Sequence, residues 1–174
     1  MRSFSKQELT RRLRLLAPGA AVLFGQLCLR RRLPAYDLFA NEAAWGDPEL
    51  LWSIVSESPQ HLLSRSRGHT EAMREEVRRA VPDSDQFAVL AVGDAQEAAL
   101  GVECLLDYAL DGDSADIAQI AAFAVDTLDR SIQERERLDP ASRALEQTID
   151  RHPLMQRELA SQARDLEIAE QYRD

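Results

Sequence analysis

The sequence is poor in cysteine and histidine, the residues that most often carry redox chemistry or bind transition metals. It contains only two cysteines, Cys28 and Cys104, and three histidines. The cysteines match no C-x-x-C or zinc-ligand spacing, so we expect two reduced thiols inside apolar helices. None of the histidines belongs to an H-E-x-x-H or E-x-x-H motif, which excludes the common helical zinc and di-iron patterns.

Familiar catalytic motifs are also missing. The chain contains no G-x-S-x-G elbow, no Walker loop and no G-x-G-x-x-G fingerprint. Each of these motifs places a nucleophile or a phosphate-binding backbone at a defined turn. We therefore assign no catalytic residue, no metal ligand and no cofactor, which favours a protein that is not an enzyme.

No run of apolar residues is long enough to cross a bilayer. The run from Leu15 to Leu29 is interrupted by Pro18 and is followed at once by Arg30, Arg31 and Arg32. A membrane span needs about 20 apolar residues, and the arginines occupy the place of a signal-peptide cleavage site. We interpret the run as a buried helix of a cytoplasmic protein that makes no membrane contact.

Aromatic residues make up only 6% of the chain, and alanine and leucine dominate its apolar residues. Such side chains favour helices over sheets. Only residues 87–92 form an apolar run that suits a strand, and one strand cannot make a sheet. A length of 174 residues suits one domain. We predict an all-α fold, a compact bundle of about seven to eight helices, as a single domain over residues 1–174.

Capping residues, prolines and glycines set the predicted helix boundaries. Ser5 and Glu8 form a capping box for the first helix. Asp47, Thr70 and Ser114 are the predicted N-caps of three later helices. The predicted helical segments are seven longer ones, over residues 6–16, 19–32, 48–58, 70–81, 94–110, 114–137 and 154–172, and two short ones, over 34–42 and between Pro140 and Pro153. An exposed loop is predicted over 64–69.

The net charge of −9 disfavours binding to nucleic acid, itself a polyanion. The charge is unevenly spread, because residues 1–33 carry eight Arg or Lys and one acid, while residues 80–129 carry eleven acids and no base. We expect Arg30, Arg31 and Arg32 to lie near acids of the second segment, in the same chain or a partner chain. The alternative is three solvated arginines at a helix C-terminus, where the helix dipole favours them.

An acidic cluster surrounds Gly112 and contains Asp107, Asp111, Asp113 and Asp116. Carboxylate oxygens are the ligands that calcium and magnesium prefer, but the D-x-D-x-D-G spacing is not met. Acids are also favoured at the start of a helix. We interpret the cluster as helix capping and solvation, with a cation site as the alternative.

Aromatic residues lie on both sides of a predicted turn at Trp45-Gly46. We expect Tyr36, Phe39 and Trp45 to pack onto the core, because aromatic rings bury large apolar areas. Asp47 is expected to cap the helix that follows. The alternative is an exposed pocket in which Tyr36, Trp45 and Asp47 bind a small ligand.

Two spaced patterns carry a family resemblance. They are Pro34-x-Tyr36-x-x-Phe39 followed by Gly46-Asp47 and a helix, and Pro82 with Asp85 and Phe87 followed by an alanine-rich helix. Together with Phe24, they resemble the bacterial YjaG-like family of unknown function over residues 10–165.

The resemblance implies a compact all-α fold in a bacterial cytoplasmic protein, and it implies no known reaction. The family pattern has Tyr-Pro and then an Asp at the positions of Gly93, Asp94 and Glu97. Because the tyrosine is absent here, no catalytic residue carries over.

Three functions remain open at this point. The leading hypothesis is a non-catalytic helical protein that binds a protein partner or forms a homo-oligomer. The second is a small-ligand or cation-binding protein, or a weak enzyme, with a pocket near Tyr36, Trp45 and Asp47. The third is nucleic-acid association through the basic segment, which the net charge disfavours. A flat apolar patch favours the first, a deep pocket the second, and steeply salt-dependent DNA binding the third.

Overall fold

The computed structural model of the protein describes residues 6–142 and 144–173, and this part of the chain folds as an all-helical single domain with no strand. Ser5 of the predicted capping box lies outside the described residues. Over them the chain forms nine helices, where about seven to eight were predicted. They are α1 (Lys6–Leu13), α2 (Pro18–Ala43), α3 (Pro48–Ser56), α4 (Pro59–Ser64), α5 (Arg67–Arg79), α6 (Val92–Asp111), α7 (Ser114–Glu136), α8 (Leu145–Arg151) and α9 (Pro153–Gln171).

Helix α2 is the centre of the fold. It is apolar on nearly all sides, and it packs against α3, α6, α7 and α9. The prediction of two helices, 19–32 and 34–42, is wrong, because a single helix continues through Pro34. Proline removes one helical hydrogen bond and usually bends the helix. Here Pro34 is exposed, while Leu33 and Tyr36 beside it are fully buried, so core packing on both sides offsets the lost bond.

The start of α5 also differs from the prediction. Residues 64–69 were expected to form a loop, with Thr70 as the N-cap of the helix that follows. The helix instead begins at Arg67, and Ser66 is its N-cap. The Ser66 side chain accepts a hydrogen bond from the backbone N–H of His69. Thr70 is 2% exposed inside the helix. Because its side chain is buried, it is unavailable as a cap, and the nearest upstream serine takes that role.

Helix α6 follows its predicted periodicity closely, with buried residues from Ala95 to Leu106 on one face. It begins two residues before Asp94 and ends at Asp111, and the following Gly112 has a φ of 77°, which suits glycine. Asp113 rather than Ser114 caps α7, since its side chain accepts a hydrogen bond from the N–H of Ala115 at 2.9 Å. Residues 87–91 lie outside helices and strands, and the apolar run continues into α6 at Val92.

Close approach of α2 and α6 depends on a glycine. A Cβ atom at Gly101 would lie 2.7 Å from Cδ2 of Leu29, which is shorter than any ordinary contact between carbon atoms. A side chain at this position would therefore require the buried Leu29 side chain to move or the two helices to separate.

The apolar interior has two parts. The main core joins α1 through α7 and the C-terminal half of α9. A smaller cluster lies where the end of α7 meets α8 and the start of α9, and it is built from Ile132, Ile149 and Met155. None of the described helices combines the length and apolar character needed to cross a membrane.

Candidate functional site

Four aromatic rings meet where the C-terminal end of α2 approaches the segment between α5 and α6. We call Tyr36, Phe39, Trp45 and Phe87 the aromatic corner. Phe39 lies at its centre, with ring centroids 6.0 Å from Tyr36, 6.0 Å from Trp45 and 5.1 Å from Phe87. Trp45 also contacts Phe87, at 5.2 Å. Several contacts are tilted or edge-to-face, the geometry that aromatic pairs prefer.

The aromatic corner brings together the two sequence patterns that carried the family resemblance. Tyr36, Phe39 and Gly46 come from the first pattern, and Phe87 comes from the second. The two patterns are far apart in sequence, but their residues lie in one place in the fold. The patterns therefore describe one local structure and not two independent features.

The hydroxyl of Tyr36 holds three segments together beneath the corner. It donates a hydrogen bond to the carbonyl oxygen of Ala80 at 2.6 Å, and it accepts one from the backbone N–H of Asp47 at 3.2 Å. Burial raises the pKa of Tyr36, so the phenol stays protonated and can donate. Gly46 has a φ of 100°, and a Cβ there would lie 2.5 Å from this hydroxyl. Glycine is therefore required at the turn.

Above the corner lies a cavity of about 340 Å³, which we call the Trp45 cavity. Most of its polar and charged wall residues are solvent-exposed, so the cavity opens to the surface. Its walls are formed by Trp45, Gly46, Asp47, Leu50, Glu76, Arg79 and Ala80.

The structure brings two of the three predicted ligand residues to this cavity. Trp45 and Asp47 line it, whereas Tyr36 is fully buried beneath it. Trp45 is 36% exposed, and Tyr36 and Phe39 are 0% exposed, so the expected packing of the aromatic residues onto the core is confirmed for two of the three. Asp47 caps α3 as predicted, with its Oδ1 accepting a hydrogen bond from the N–H of Leu50 at 2.9 Å.

Two charged wall residues, Glu76 and Arg79, were not assigned to a site from the sequence. Their i,i+3 spacing on one helix would allow a surface ion pair, but none joins them in the described part of the chain, and both are exposed at the cavity wall. The spacing does place them on the same face of α5. No sequence signal joins that face to residue 45, because the contact between these segments is a product of the tertiary fold.

Arg31 and Arg32 take part in two ion-pair networks away from the cavity. Arg32 lies 3.6 Å from Glu97 and donates to the hydroxyl of Thr127 at 2.6 Å, so the expected docking onto the acidic segment is confirmed for this arginine. Arg31 instead pairs with Glu158 at 3.1 Å and with Asp165, both on α9. Arg30 is exposed, as in the alternative interpretation.

The two cysteines are both free. Cys28 is 1% exposed, and burial raises the pKa of its thiol far above the ordinary value. Burial and nearby acids raise the pKa of Cys104 to about 12. Both sulfurs are therefore neutral thiols at physiological pH, and a neutral thiol is a poor nucleophile.

The acidic cluster is arranged around the turn between α6 and α7. Asp107 pairs with Arg74 at 2.8 Å, and Asp113 caps α7. Burial, followed by repulsion from the other three carboxylates, raises the pKa of Asp116 to about 6. Within the described residues, no group of three or more His, Cys, Asp or Glu side chains is close enough to hold a metal ion.

Comparison with known proteins gives a family match and a fold match. The family model described as "Protein of unknown function (DUF416)" matches residues 8–174. The fold resembles the crystal structure of a DUF416 family protein from Shewanella baltica OS155, with a TM-score of 0.78 and 23% sequence identity over 94% of this chain and 84% of that chain. At this identity the likeness shows the fold alone. No curated protein matches the sequence.

Proposed function

The chain belongs to the DUF416 family of proteins of unknown function, the YjaG-like family that its motifs resemble, and we propose that it acts by binding a protein partner at the Trp45 cavity. The partner is another protein or a second copy of the chain. The observation that carries the proposal is Trp45, a large aromatic side chain held partly exposed at the cavity by contacts with Phe39 and Phe87. Tryptophan is enriched among the residues that dominate binding energy at protein interfaces.

The packing of the aromatic corner supports this role, because it fixes Trp45 before any partner arrives. Phe39 is fully buried and contacts Trp45 edge-on, and the Tyr36 hydroxyl fixes the turn that follows. A side chain that is already ordered loses little conformational entropy on binding. The corner therefore provides a preorganised anchor for a partner.

The segment after the corner extends the exposed apolar surface. Phe87 contacts Trp45, and Leu90, three residues further along the chain, is fully exposed. Val89 and Phe87 are half-buried. Leu90 does not stabilise the isolated fold, because an apolar side chain stabilises a protein only when it is removed from water. An exposed leucine three residues after the ring that contacts Trp45 favours an interface in this part of the surface.

The two ion-pair networks of Arg31 and Arg32 support a structural role for these arginines. Arg31 joins α2 to α9, and Arg32 joins α2 to α6 and α7 through Glu97 and Thr127. Charged atoms of each group meet across helix contacts, but Nε of Arg32 is buried and makes no hydrogen bond in the part of the chain that the structure describes. This arrangement suits a fold that presents a rigid surface, and it is consistent with binding and not catalysis.

The second candidate is a small-ligand site in the same cavity. Its volume of about 340 Å³ falls within the range of small-molecule pockets. Asp47, Glu76 and Arg79 supply charged groups of both signs at the wall, which favours a ligand with ionic groups.

Site-specific photo-cross-linking tests the proposed function. A photoreactive residue at exposed Glu49, next to the cavity wall, should form a cross-link to one defined protein or to a second copy of the chain. Replacing Trp45 by alanine should remove this product. The same reagent at exposed Arg164 on α9 is the control and should not give the product.

Sedimentation velocity distinguishes the two partners. A second copy would give a dimer that dissociates in Trp45→Ala, whereas a different partner leaves the purified chain monomeric. A cross-link at position 49 that persists unchanged in Trp45→Ala would contradict the proposal.

A further inference from the structure

The charges around the Trp45 cavity point to the kind of side chain that it would accept. Two carboxylates, from Asp47 and Glu76, and one guanidinium, from Arg79, stand at its wall. Within the described residues, no hydrogen bond reaches Oδ2 of Asp47, and no ion pair or hydrogen bond reaches the carboxylate of Glu76. The wall therefore carries one more negative charge than positive charge, and both acids keep acceptor oxygens for a donor from outside.

Trp45 adds a second reason for a cationic guest. Trp45 lines the cavity, and the rings of Phe39 and Phe87 contact its indole. The face of an indole attracts a cation, and tryptophan is the best of the aromatic side chains for this contact. A guanidinium is also planar, so it can stack on the indole while its edges donate hydrogen bonds.

Exposed acids that follow the cavity wall in the sequence also favour a cationic guest. Asp83 and Asp85 are exposed just beyond Ala80. Arg78, the base nearest to Arg79 in the sequence, pairs with Glu75 and Glu103. A surface with this excess of acid attracts basic partners and repels acidic ones.

We infer that the Trp45 cavity receives an arginine or lysine side chain of a partner protein, held between the indole of Trp45 and the carboxylates of Asp47 and Glu76. The volume of about 340 Å³ accommodates one long side chain with part of its backbone. Arg79 is then placed to donate to carbonyl oxygens of the bound segment. The inference rests on the proposed function and specifies the chemistry of the partner.

Nuclear magnetic resonance of the indole N–H groups tests the inference on the full chain. The protein has two tryptophans, and Trp45→Phe assigns their two signals. Trp52 is an internal control, because its indole N–H bonds to Asp37 at 3.0 Å and its side chain is not part of the cavity wall. The probes are blocked tripeptides, acetyl-Gly-X-Gly-amide, in which X is arginine, lysine, norleucine or glutamate.

The arginine and lysine peptides should shift the Trp45 signal saturably and leave the Trp52 signal unchanged. The norleucine peptide, which has a similar length and no charge, should bind more weakly, and the glutamate peptide should cause no shift. Equal binding of the norleucine or glutamate peptide, or no shift with the arginine peptide, would overturn the inference.

Two charge-neutralising variants locate the contact. Asp47→Asn keeps a good helix cap, and Glu76→Gln changes an exposed side chain, so both should keep the native spectrum. Each variant should weaken binding of the arginine peptide by about threefold, which is the contribution of one partly exposed ion pair. Glu167→Gln, at an exposed position on α9, is the matched control and should not change binding. Unchanged affinity in both cavity variants would place the peptide elsewhere and overturn the inference.

The outcome separates this inference from the proposed function. If cross-linking at position 49 depends on Trp45 while arginine and norleucine peptides bind equally, the cavity is an interface without a preference for basic side chains. If the arginine peptide binds selectively but cross-linking does not depend on Trp45, the charge preference holds and the protein-partner proposal is wrong.

Discussion

The hydroxyl of Tyr36 bonds to the carbonyl oxygen of Ala80 at 2.6 Å, and this contact joins the central helix to the C-terminal end of α5. The hydroxyl oxygen of Tyr36 also accepts a hydrogen bond from the backbone N–H of Asp47 at 3.2 Å. The Tyr36 side chain of α2 thus positions two residues of the Trp45 cavity wall. These are Ala80, which follows α5, and Asp47, which precedes α3.

Tyr36→Phe should destabilise the fold by about 1–3 kcal/mol, because it leaves a buried carbonyl and an N–H without their partner. Urea denaturation followed by circular dichroism measures the change. Tyr172→Phe, at a half-buried position near the C-terminus, is the control and should change the free energy of unfolding by less than about 0.5 kcal/mol. Equal stabilities of Tyr36→Phe and the unaltered protein would show that the hydroxyl does not join the three segments.

Two glycines of α6 provide a matched pair. Gly101→Ala should cost about 1–3 kcal/mol, because the new Cβ would lie 2.7 Å from Leu29 and would force α2 and α6 apart. Gly93→Ala, near the start of the same helix, meets nothing within 4 Å and should be neutral or stabilise the helix by up to about 1 kcal/mol. Thermal denaturation of both variants checks the difference, and similar melting temperatures would contradict it.

Arg30 and Arg31 should respond differently to replacement by glutamine. Arg31→Gln should cost about 2 kcal/mol, since it leaves Glu158 and Asp165, whose side chains are 14% and 11% exposed, without their cation. Arg30→Gln should have almost no effect, because Arg30 is exposed. Denaturation in low salt and in molar salt tests this. Because Glu158 and Asp165 are largely shielded from solvent while Arg31 is partly exposed, part of the effect should persist in molar salt, whereas a fully exposed pair would be screened.

Asp116 should make stability depend on pH. Its pKa is raised in the fold from an ordinary value of 3.8 to about 6, so the folded state binds this proton more tightly than the unfolded state. The contribution of Asp116 is therefore most favourable below about pH 4 and declines as the pH rises through about 6. The groups that face it are Asp107, Asp111, Asp113 and Lys6.

Asp116→Asn removes this titration. Relative to the unaltered protein, the variant should gain stability between pH 4 and pH 7, by up to about 1 kcal/mol because the group is partly solvent-exposed. The measurement is the difference in unfolding free energy across that range. A difference that does not change with pH would contradict the raised pKa.

Local sequence signals predicted most helices but not all of their boundaries. The periodicity of α6 and the Asp47 cap depend on residues close in sequence, and both were correct. Pro34 was expected to separate two helices, because the rule for proline considers only the local backbone. In the fold, Leu33 and Tyr36 hold both sides of Pro34 in the core, and tertiary packing outweighs the local preference.

The cavity could be predicted only in part. Trp45 and Asp47 were identified because a turn and a helix cap have recognisable local chemistry. Glu76 and Arg79 could not be joined to them, since the contact depends on how α5 packs in the folded chain. The docking of Arg32 onto Glu97 followed from charge balance, but the same argument sent Arg31 to the wrong segment, because α9 also presents acids.

The apolar cluster of Ile132, Ile149 and Met155 is separate from the main core. We therefore expect the two regions to open with different free energies. A helical end held by three buried side chains can open without disturbing the main core, so it behaves as its own unit in native-state hydrogen exchange. Backbone amides of α8 then exchange through this sub-global opening, at a lower free energy than those of α2 and α6. The aromatic corner is rooted in the main core through Tyr36 and Phe39, and it stays folded while the α8 end opens and closes.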